Sequence, residues 1–452
     1  VRVHALAATL DGGVFVAGTA WGQIVVAPGL AFRDRAGPRR DVHRRAEPAV
    51  EHAFLLRLDA AGRTLWAKEM GARAITAPRF APPGGVTALA VDADGTLVIA
   101  GTFSLGRRAR GAPQAPTLAR LSPDGKVIWA VGAPERPPRS IWGRQASDIQ
   151  SLIVVPASGR GPTDVGDGGD IVVTGCGRSL QLPQSRQSRR PPPMPPPQGR
   201  EAVPRSGAWL DEGFVARFTG RGVERWTYHF EPGGGRQDLF TCGTGLAADG
   251  AGGVFVGGAY AYADDASAAA AGVPPRGSFV ARLAKNAHPL WSQNLGIHDY
   301  PVQLAPLPDG RVVVSGAFRD GDLDRTGLGV FDATGRQEWF VPNGPDASRA
   351  GAWAPFIATH AQRILWAGPL DRKARFGPFA MDGGGGGDAS GACLFVAAFD
   401  GGGRPTAYRP LPHSGFCTLD ALAVGDGGIW VAGQTSPRWG AGAFVHRVSP
   451  LF

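Results

Sequence analysis

The chain has 452 residues, 43% of them hydrophobic and 19% charged, which supplies a sizeable core and is too weakly charged for a disordered polymer. Its 68 Gly and 39 Pro, clustered with Asp-Gly pairs every few residues, exclude long helices, and no apolar run approaches the roughly 18–20 residues of a membrane span. The net charge of +9 is carried almost wholly by Arg, and with so much Ala, Gly and Pro the composition is that of a GC-rich bacterial genome.

Short apolar runs between turns predict an all-β fold. In chain order, Val3–Ala8 reads as a first strand, A. A turn at Asp11-Gly12-Gly13 leads to a second, B, ending at Gly18. After an insertion over 22–52, rich in Arg (Arg39, Arg40, Arg44, Arg45), comes strand C at Phe54–Leu58, an Asp-Ala-Ala-Gly turn and strand D with Trp66. Apolar runs joined through Asp-Gly are the strongest short-range hairpin signal.

The unit then repeats. Strand B ends in glycine each time, at Gly18, Gly101, Gly175, Gly258, Gly316, Gly368 and Gly433, about 69 residues apart on average. The later C strands are predicted at Leu118–Leu121, Phe214–Phe218, Phe279–Leu283, Leu328–Phe331, Leu394–Phe399 and Phe444–Val448. D strands carry Trp66, Trp129, Trp226, Trp291 and Trp339. In the first four units an Arg stands nine residues before the Trp (Arg57, Arg120, Arg217, Arg282), a spacing that brings the two together across a hairpin. The sixth unit has Ala398 and Ala407 at these positions, the fifth has Val330 for the Arg, and the seventh keeps Arg447 but has no D strand. Each Trp is expected to pack one unit on the next, and each Arg to stack on or bond near its own hairpin.

Seven four-stranded antiparallel units predict one seven-bladed β-propeller over 1–452, its last blade lacking the outer strand, with long insertions at 22–52 and 177–212. An N-terminal extension before Val1 is expected to supply a strand pairing with Phe444–Val448. A–B and C–D turns fall on one face and are short, except at Pro156–Gly169; the B–C and D–A connections fall on the other and are long. The second face is where binding is expected. Candidates there are Asp148, Asp238 and Asp299 in D–A connections, Trp142, Trp353 and Trp439 near them, and the four clustered Arg residues. A proline run at Pro191–Pro197 favours an extended polyproline helix that cannot join a sheet.

Cys176, Cys242, Cys393 and Cys417 all fall on this face, and the pairs Cys176–Cys242 and Cys393–Cys417 each join a B–C junction to the following D–A junction. Both disulfides are expected, which places the protein outside the cytoplasm. Asp320-x-Asp322-x-Asp324 has the start of a calcium loop, but Arg325 and Phe331 stand where Gly and Glu belong, and a polar B–C loop is expected instead. No zinc-ligand spacing, P-loop, His-Glu-x-x-His or Gly-x-Ser-x-Gly is present. No catalytic residue, metal or cofactor is therefore expected.

The phrases AFLLRLDAAGRTLW and TALAVDADGTLVIAGT, with echoes at 213–226, 278–291 and 443–448, resemble the SBBP-type repeat of seven-bladed propellers in bacterial secreted and surface proteins. The resemblance implies the architecture and little about activity. LDAAGRTLW also resembles the repeat of quinoprotein propellers, but those have eight blades and many carry adjacent cysteines, which this chain lacks. The expected function is a non-catalytic, monomeric binding or scaffold propeller for a protein or polysaccharide, not a nucleic acid. The alternative is a propeller lyase, hydrolase or quinoprotein-like enzyme acting at the channel mouth.

Overall fold

The computed structural model describes residues 1–21, 24–32, 50–74, 85–103, 116–132, 148–155, 168–176, 213–230, 239–262, 276–296, 302–320, 323–342, 356–360, 362–370, 373–376, 379–382, 393–411, 417–435 and 442–448. They form an all-β, seven-bladed β-propeller, with no helix among them. Blade one is β1 (Arg2–Ala8), β2 (Val14–Trp21), β5 (Val50–Leu58) and β6 (Thr64–Ala74), with the hairpin β3 (Ile24–Ala27) and β4 (Leu30–Phe32) inside its insertion. Blade two is β7 (Gly85–Val91), β8 (Leu97–Thr102), β9 (Pro116–Leu121) and β10 (Val127–Gly132). Blade three is β11 (Asp148–Val155), β12 (Asp170–Cys176), β13 (Gly213–Phe218) and β14 (Glu224–His229). Blade four is β15 (Leu239–Ala248), β16 (Val254–Tyr262), β17 (Arg276–Leu283) and β18 (Pro289–Gly296). Blade five is β19 (Gln303–Pro306), β20 (Val312–Asp320), β21 (Leu323–Phe331) and β22 (Gln337–Pro342). Blade six is β23 (Phe356–His360), β24 (Arg363–Leu370), β27 (Cys393–Phe399) and β28 (Pro405–Leu411), with the hairpin β25 (Lys373–Phe376) and β26 (Phe379–Asp382) between its second and third strands. Blade seven has three strands, β29 (Cys417–Gly425), β30 (Gly428–Thr435) and β31 (Gly442–Val448).

Contacts group the chain into two compact units, one of residues 1–138 with 420–450, the other of 139–419 with 451–452. Within each, the apolar side chains are buried between blades rather than inside them. Phe15, Leu55 and Leu97 of blades one and two share a cluster, as do Phe54, Val16 and Trp430 of blades one and seven. In the second unit the layers join blades three and four, four and five, and five and six. One sheet cannot cover both of its faces, so each blade needs its neighbours.

The recurrent glycines do not end strand B. They lie inside it or one residue from its end, and most face a Phe of strand C: Gly18 pairs with Phe54, Gly175 with Phe214, Gly258 with Phe279, Gly368 with Phe395 and Gly433 with Phe444. A Cβ at Gly18 or Gly258 would come within 2.6 Å of the phenyl ring of Phe54 or Phe279. The same Cβ would stand 2.2 or 2.3 Å from the strand-A carbonyl of Arg2 or Cys242, so backbone and ring together require glycine.

Strand pairing puts Arg57 opposite Trp66, Arg120 opposite Trp129, Arg217 opposite Trp226 and Arg282 opposite Trp291, as the nine-residue spacing predicts. What the two side chains do there goes beyond their own hairpin. The Arg reaches an Asp at its blade's A–B turn: Arg57 to Asp11 (2.6 Å), Arg120 to Asp92 (2.6 Å), Arg217 to Asp170 (2.9 Å) and Arg282 to Asp249 (3.1 Å). It also crosses to the next blade, where Arg57 donates to Pro123 O (2.9 Å), Arg282 to Ala333 O (2.8 Å) and Arg217 to Gly252 O (2.5 Å). The Trp joins it: Nε1 of Trp66 donates to Pro123 O (3.0 Å), of Trp226 to Lys285 O (2.8 Å), of Trp291 to Ala333 O (3.0 Å) and of Trp339 to Gly401 O (3.3 Å).

Pro123, Lys285, Ala333 and Gly401 belong to the C–D turn of the following blade, and Gly252 to its A–B turn. These turns close by a hydrogen bond across four residues, as from Gly125 N to Ser122 O (2.8 Å) and Gly335 N to Asp332 O (3.0 Å), with the glycine left-handed at φ +78° and +88°. The neighbouring indole then lies on the glycine: a Cβ at Gly335 would stand 2.7 Å from the Trp291 ring. Blade four uses Ala287 at this position, with φ 67° and a buried methyl. In blade five, where Val330 replaces the Arg, Arg311 of the A–B turn reaches Gly401 O (3.0 Å) instead.

The ion pairs differ in depth, and so must their worth. Arg217 and Asp170 are 1% and 5% exposed, whereas Asp11 is 57% exposed. Removing one partner of a buried pair costs about 3–5 kcal/mol, an exposed pair about 0–1 kcal/mol. We expect Asp170→Ala to lower the urea midpoint far more than Asp11→Ala; equal shifts in parallel denaturation curves would contradict this ranking.

Candidate functional site

Arg57, Arg217, Arg282, Trp66, Trp226, Trp291 and Trp339 thus spend polar atoms on joints between blades, on the face of the A–B and C–D turns. Functional side chains are to be sought at the opposite ends of the strands. There the first strand of a blade bends at a recurrent bulge: the register slips between Val3 and Ala5, Val86 and Ala88, Ile149 and Ser151, and Gly243 and Gly245. Each bulge faces the strand-B glycine and inserts one extra residue, respectively His4, Thr87, Gln150 and Thr244. Bulges re-aim side chains and recur near functional sites. All four inserted residues are polar, on strands whose neighbouring positions are mostly apolar.

In the first unit, His4 Nε2 lies 2.9 Å from Thr19 Oγ1, and Thr87 Oγ1 donates to Ala100 O (3.3 Å). Blade seven presents Asp420, whose Oδ2 accepts from Gln434 Nε2 (2.6 Å). Burial, reinforced by the nearby Arg2 charge, lowers the His4 imidazole to about 4, so it is neutral at physiological pH. In the second unit, Thr244 Oγ1 donates to Val302 O (3.0 Å) and accepts from Val302 N (2.9 Å), which ties blade four to blade five. Apart from the Asp420 carboxylate, such groups offer neutral hydrogen bonds. Among the described residues no group of three His, Cys, Asp or Glu side chains could hold a metal ion.

Two further polar clusters sit at the same strand ends. In blade one, His52 Nδ1 lies 3.0 Å from Glu69 Oε1, the imidazole stacks on Phe32 at 4.5 Å, and Trp21 and Val25 are 46% and 71% exposed. Phe32 arrives on the β3–β4 hairpin, formed by part of the insertion. In blade four, Asn294 Nδ2 donates to Tyr260 Oη (2.7 Å), and burial pushes the phenol up to about 12. The broken alternation of Val3-His4-Ala5-Leu6 is the sequence signal for the first bulge; nothing local marks the His52 or Tyr260 clusters.

Cys176 and Cys242 form a disulfide, with Cα atoms 4.4 Å apart. Cys176 is the last residue of β12, and Cys242 lies within β15 rather than before it. The bridge joins blade three to blade four on the loop-rich face. Beside it, Thr241 Oγ1 accepts from Gly213 N (2.6 Å). Cys393 opens β27 and Cys417 opens β29; their side chains lie outside the described residues.

Asp148, placed in a D–A connection by the sequence, is instead the first residue of β11, in register with Cys176; its side chain is outside the described residues. Trp142, Asp238, Asp299, Trp353, Trp439, Arg39, Arg40, Arg44 and Arg45 also lie outside them. Where a polar loop is expected at Asp320–Asp324, the ladder between β20 and β21 runs out to Asp320 opposite Leu323.

No family model and no curated protein sequence matches the chain. Solved structures do. The polysaccharide lyase Uly1 is 10% identical, over 98% of this chain and 89% of its own, at a TM-score of 0.49. The Pyrococcus horikoshii acylaminoacyl peptidase is 9% identical, over 99% of this chain and 51% of its own, at a TM-score of 0.46, so the chain spans about half its length. Sqt1 from Chaetomium thermophilum is 12% identical, over 99% and 96%, at a TM-score of 0.44. Likenesses at this level assign no activity.

The His4 environment gives a pH signature. Its folded pKa lies below the unfolded one, so the unfolded chain takes up the proton first. Stability is therefore full above about pH 6.5, falls as pH drops toward 4, and loses about 3 kcal/mol in all. Urea midpoints of the wild type minus those of His4→Gln should trace this slope; a difference flat between pH 7 and 4 would contradict it.

Proposed function

We propose that the chain is a non-catalytic binding propeller of a bacterial secreted or cell-surface protein. It takes a protein or polysaccharide ligand through the B–C and D–A face. On this reading residues 1–452 are one domain, monomeric, of the SBBP-type repeat, and it lies outside the cytoplasm. The observation that carries the reading is the division of labour between the two ends of the blades. At one end Arg57, Arg217, Arg282, Trp66, Trp226, Trp291 and Trp339 are held in joints to the next blade. The long connections, with the Arg39–Arg45 cluster, the Trp candidates, Asp238 and Asp299, leave from the other. Variable loops on a rigid frame are the usual seat of recognition.

The Cys176–Cys242 bridge supports an oxidising compartment. A link over 66 residues removes unfolded-state entropy equivalent to about 4 kcal/mol. Reduction with dithiothreitol should lower the urea midpoint accordingly. Alkylation of Cys176 and Cys242 without reductant, in protein taken directly from its host, would argue against the compartment.

The ligand surface is tested by probing a glycan array and host surface proteins with the purified chain. Replacing Arg39, Arg40, Arg44 and Arg45 together by Ala should weaken capture at least about tenfold without changing the melting temperature. Capture that survives this variant, but is lost on Arg63→Glu in a C–D turn, would put the surface on the opposite face and sink the reading.

A further inference from the structure

Among the described residues one tryptophan is exposed. Trp66, Trp226, Trp291 and Trp339 donate their Nε1 to turns of the next blade, and the rest are half-buried or buried. Trp21, the last residue of β2, is 46% exposed. No described residue bonds to its indole or stacks on it.

Alternation along the strands fixes where this ring lies. Phe15 and Ala17 of β2 are buried against blade two with Ala53 and Leu55 of β5, whereas Val16 and Ala20 are buried against blade seven. Trp21 continues the first series, and so does Glu51, its partner across the two strands. The preceding pair on this side, Thr19 and Ala53, touches blade two: a Cβ at Gly85 would stand 3.1 Å from Thr19 Cγ2 and 3.2 Å from Ala53 Cβ. Trp21 and Glu51 form the next pair outward, where the joint between blades one and two reaches solvent on the loop-rich face. The apolar layer of that joint is complete without the indole, since Trp21 belongs to neither buried cluster of blade one. Glu51 is only 8% exposed. Residues directly opposite have Cβ atoms about 4.5–5.5 Å apart, so an open indole face and a carboxylate stand side by side.

We propose that Trp21 and Glu51 form a subsite for one uncharged pyranose unit of a glycan. The proposal rests on the loop-rich face being the binding face and names the ligand class there. The face of the indole, negative in its quadrupole, takes the C–H face of the sugar ring. The Glu51 carboxylate accepts a hydroxyl at the ring's edge; it has about four acceptor sites, so the interaction it already makes does not exhaust it. A uronate would bring a second negative charge beside Glu51, which favours an uncharged unit. A protein hot spot sits at the centre of a larger desolvated patch, whereas the neighbour of Trp21 across the strands is charged.

The test is isothermal titration calorimetry of the Val1–Phe452 chain with cellohexaose, maltohexaose and chitohexaose, beside hexagalacturonate as the acidic comparison. Saturable binding of at least one neutral hexaose is expected, weakened at least about tenfold by Trp21→Ala and less by Trp21→Phe, which keeps a flat ring. Both variants should melt with the parent, because the indole lies outside the buried layer. Any hexagalacturonate binding should be equal for the parent and Trp21→Ala; a loss there would overturn the choice of an uncharged unit. No binding of any neutral hexaose, neutral binding indifferent to Trp21→Ala, or Trp21-dependent capture of a host surface protein alone would overturn the proposal. Capture lost when Arg39, Arg40, Arg44 and Arg45 are replaced, but unchanged by Trp21→Ala, would overturn it while leaving the binding face in place.

Discussion

The structure depends on turn carbonyls that accept side-chain donors from the preceding blade, as at Pro123, Ala333 and Gly401. The C–D turn of a blade offers an oxygen outward, and the preceding blade answers with a guanidinium and an indole N–H. At Pro123 and Ala333 both donors meet on the same atom. An Asp of the A–B turn holds the Arg, and a glycine under the indole lets the ring approach. A hydrogen bond with a charged donor is worth roughly twice a neutral one, and the joint excludes water from the apolar layer between blades. Cohesion thus comes from contacts between neighbours, which explains why the buried clusters straddle blades.

Exceptions show what the joint requires. When Val330 replaces the Arg in blade five, Arg311 of the A–B turn takes over the bond to Gly401 O. A cation is retained at the carbonyl although its source in the sequence has moved by one strand. Blade six has neither donor at these positions, since Ala398 faces Ala407; there Trp366, fully buried on strand B, packs against Phe395 and Phe399. Bulk on strand B fills the blade where the outer hairpin is stripped.

With the turn ends committed to these joints, the opposite ends carry what is free to vary. The disulfide between Cys176 and Cys242 supports a joint there, where the repeat has no Arg–Trp device. The bulges aim His4, Thr87, Gln150 and Thr244 away from the regular alternation, and burial keeps His4 uncharged. An imidazole that is neutral and paired with a hydroxyl is a poor proton donor near neutrality and a serviceable hydrogen-bonding group.

The amino-acid sequence determined the repeat, its strands and the opposition of Arg and Trp, because alternation and turn residues act over a few positions and strand pairing has a fixed period. It also indicated the Cys176–Cys242 partnership through topology. It could not reveal the acceptors at the joints, since a carbonyl such as Pro123 O or Gly401 O looks alike in every residue and lies about 60 positions away. Nor could it give the reason for the strand-B glycines: they read as strand ends, whereas at Gly18 and Gly258 a strand-A carbonyl and the ring of Phe54 or Phe279 leave no room for a Cβ. Those choices were made by the tertiary structure, because packing one blade on another decides which atoms meet, and no local pattern encodes that distance.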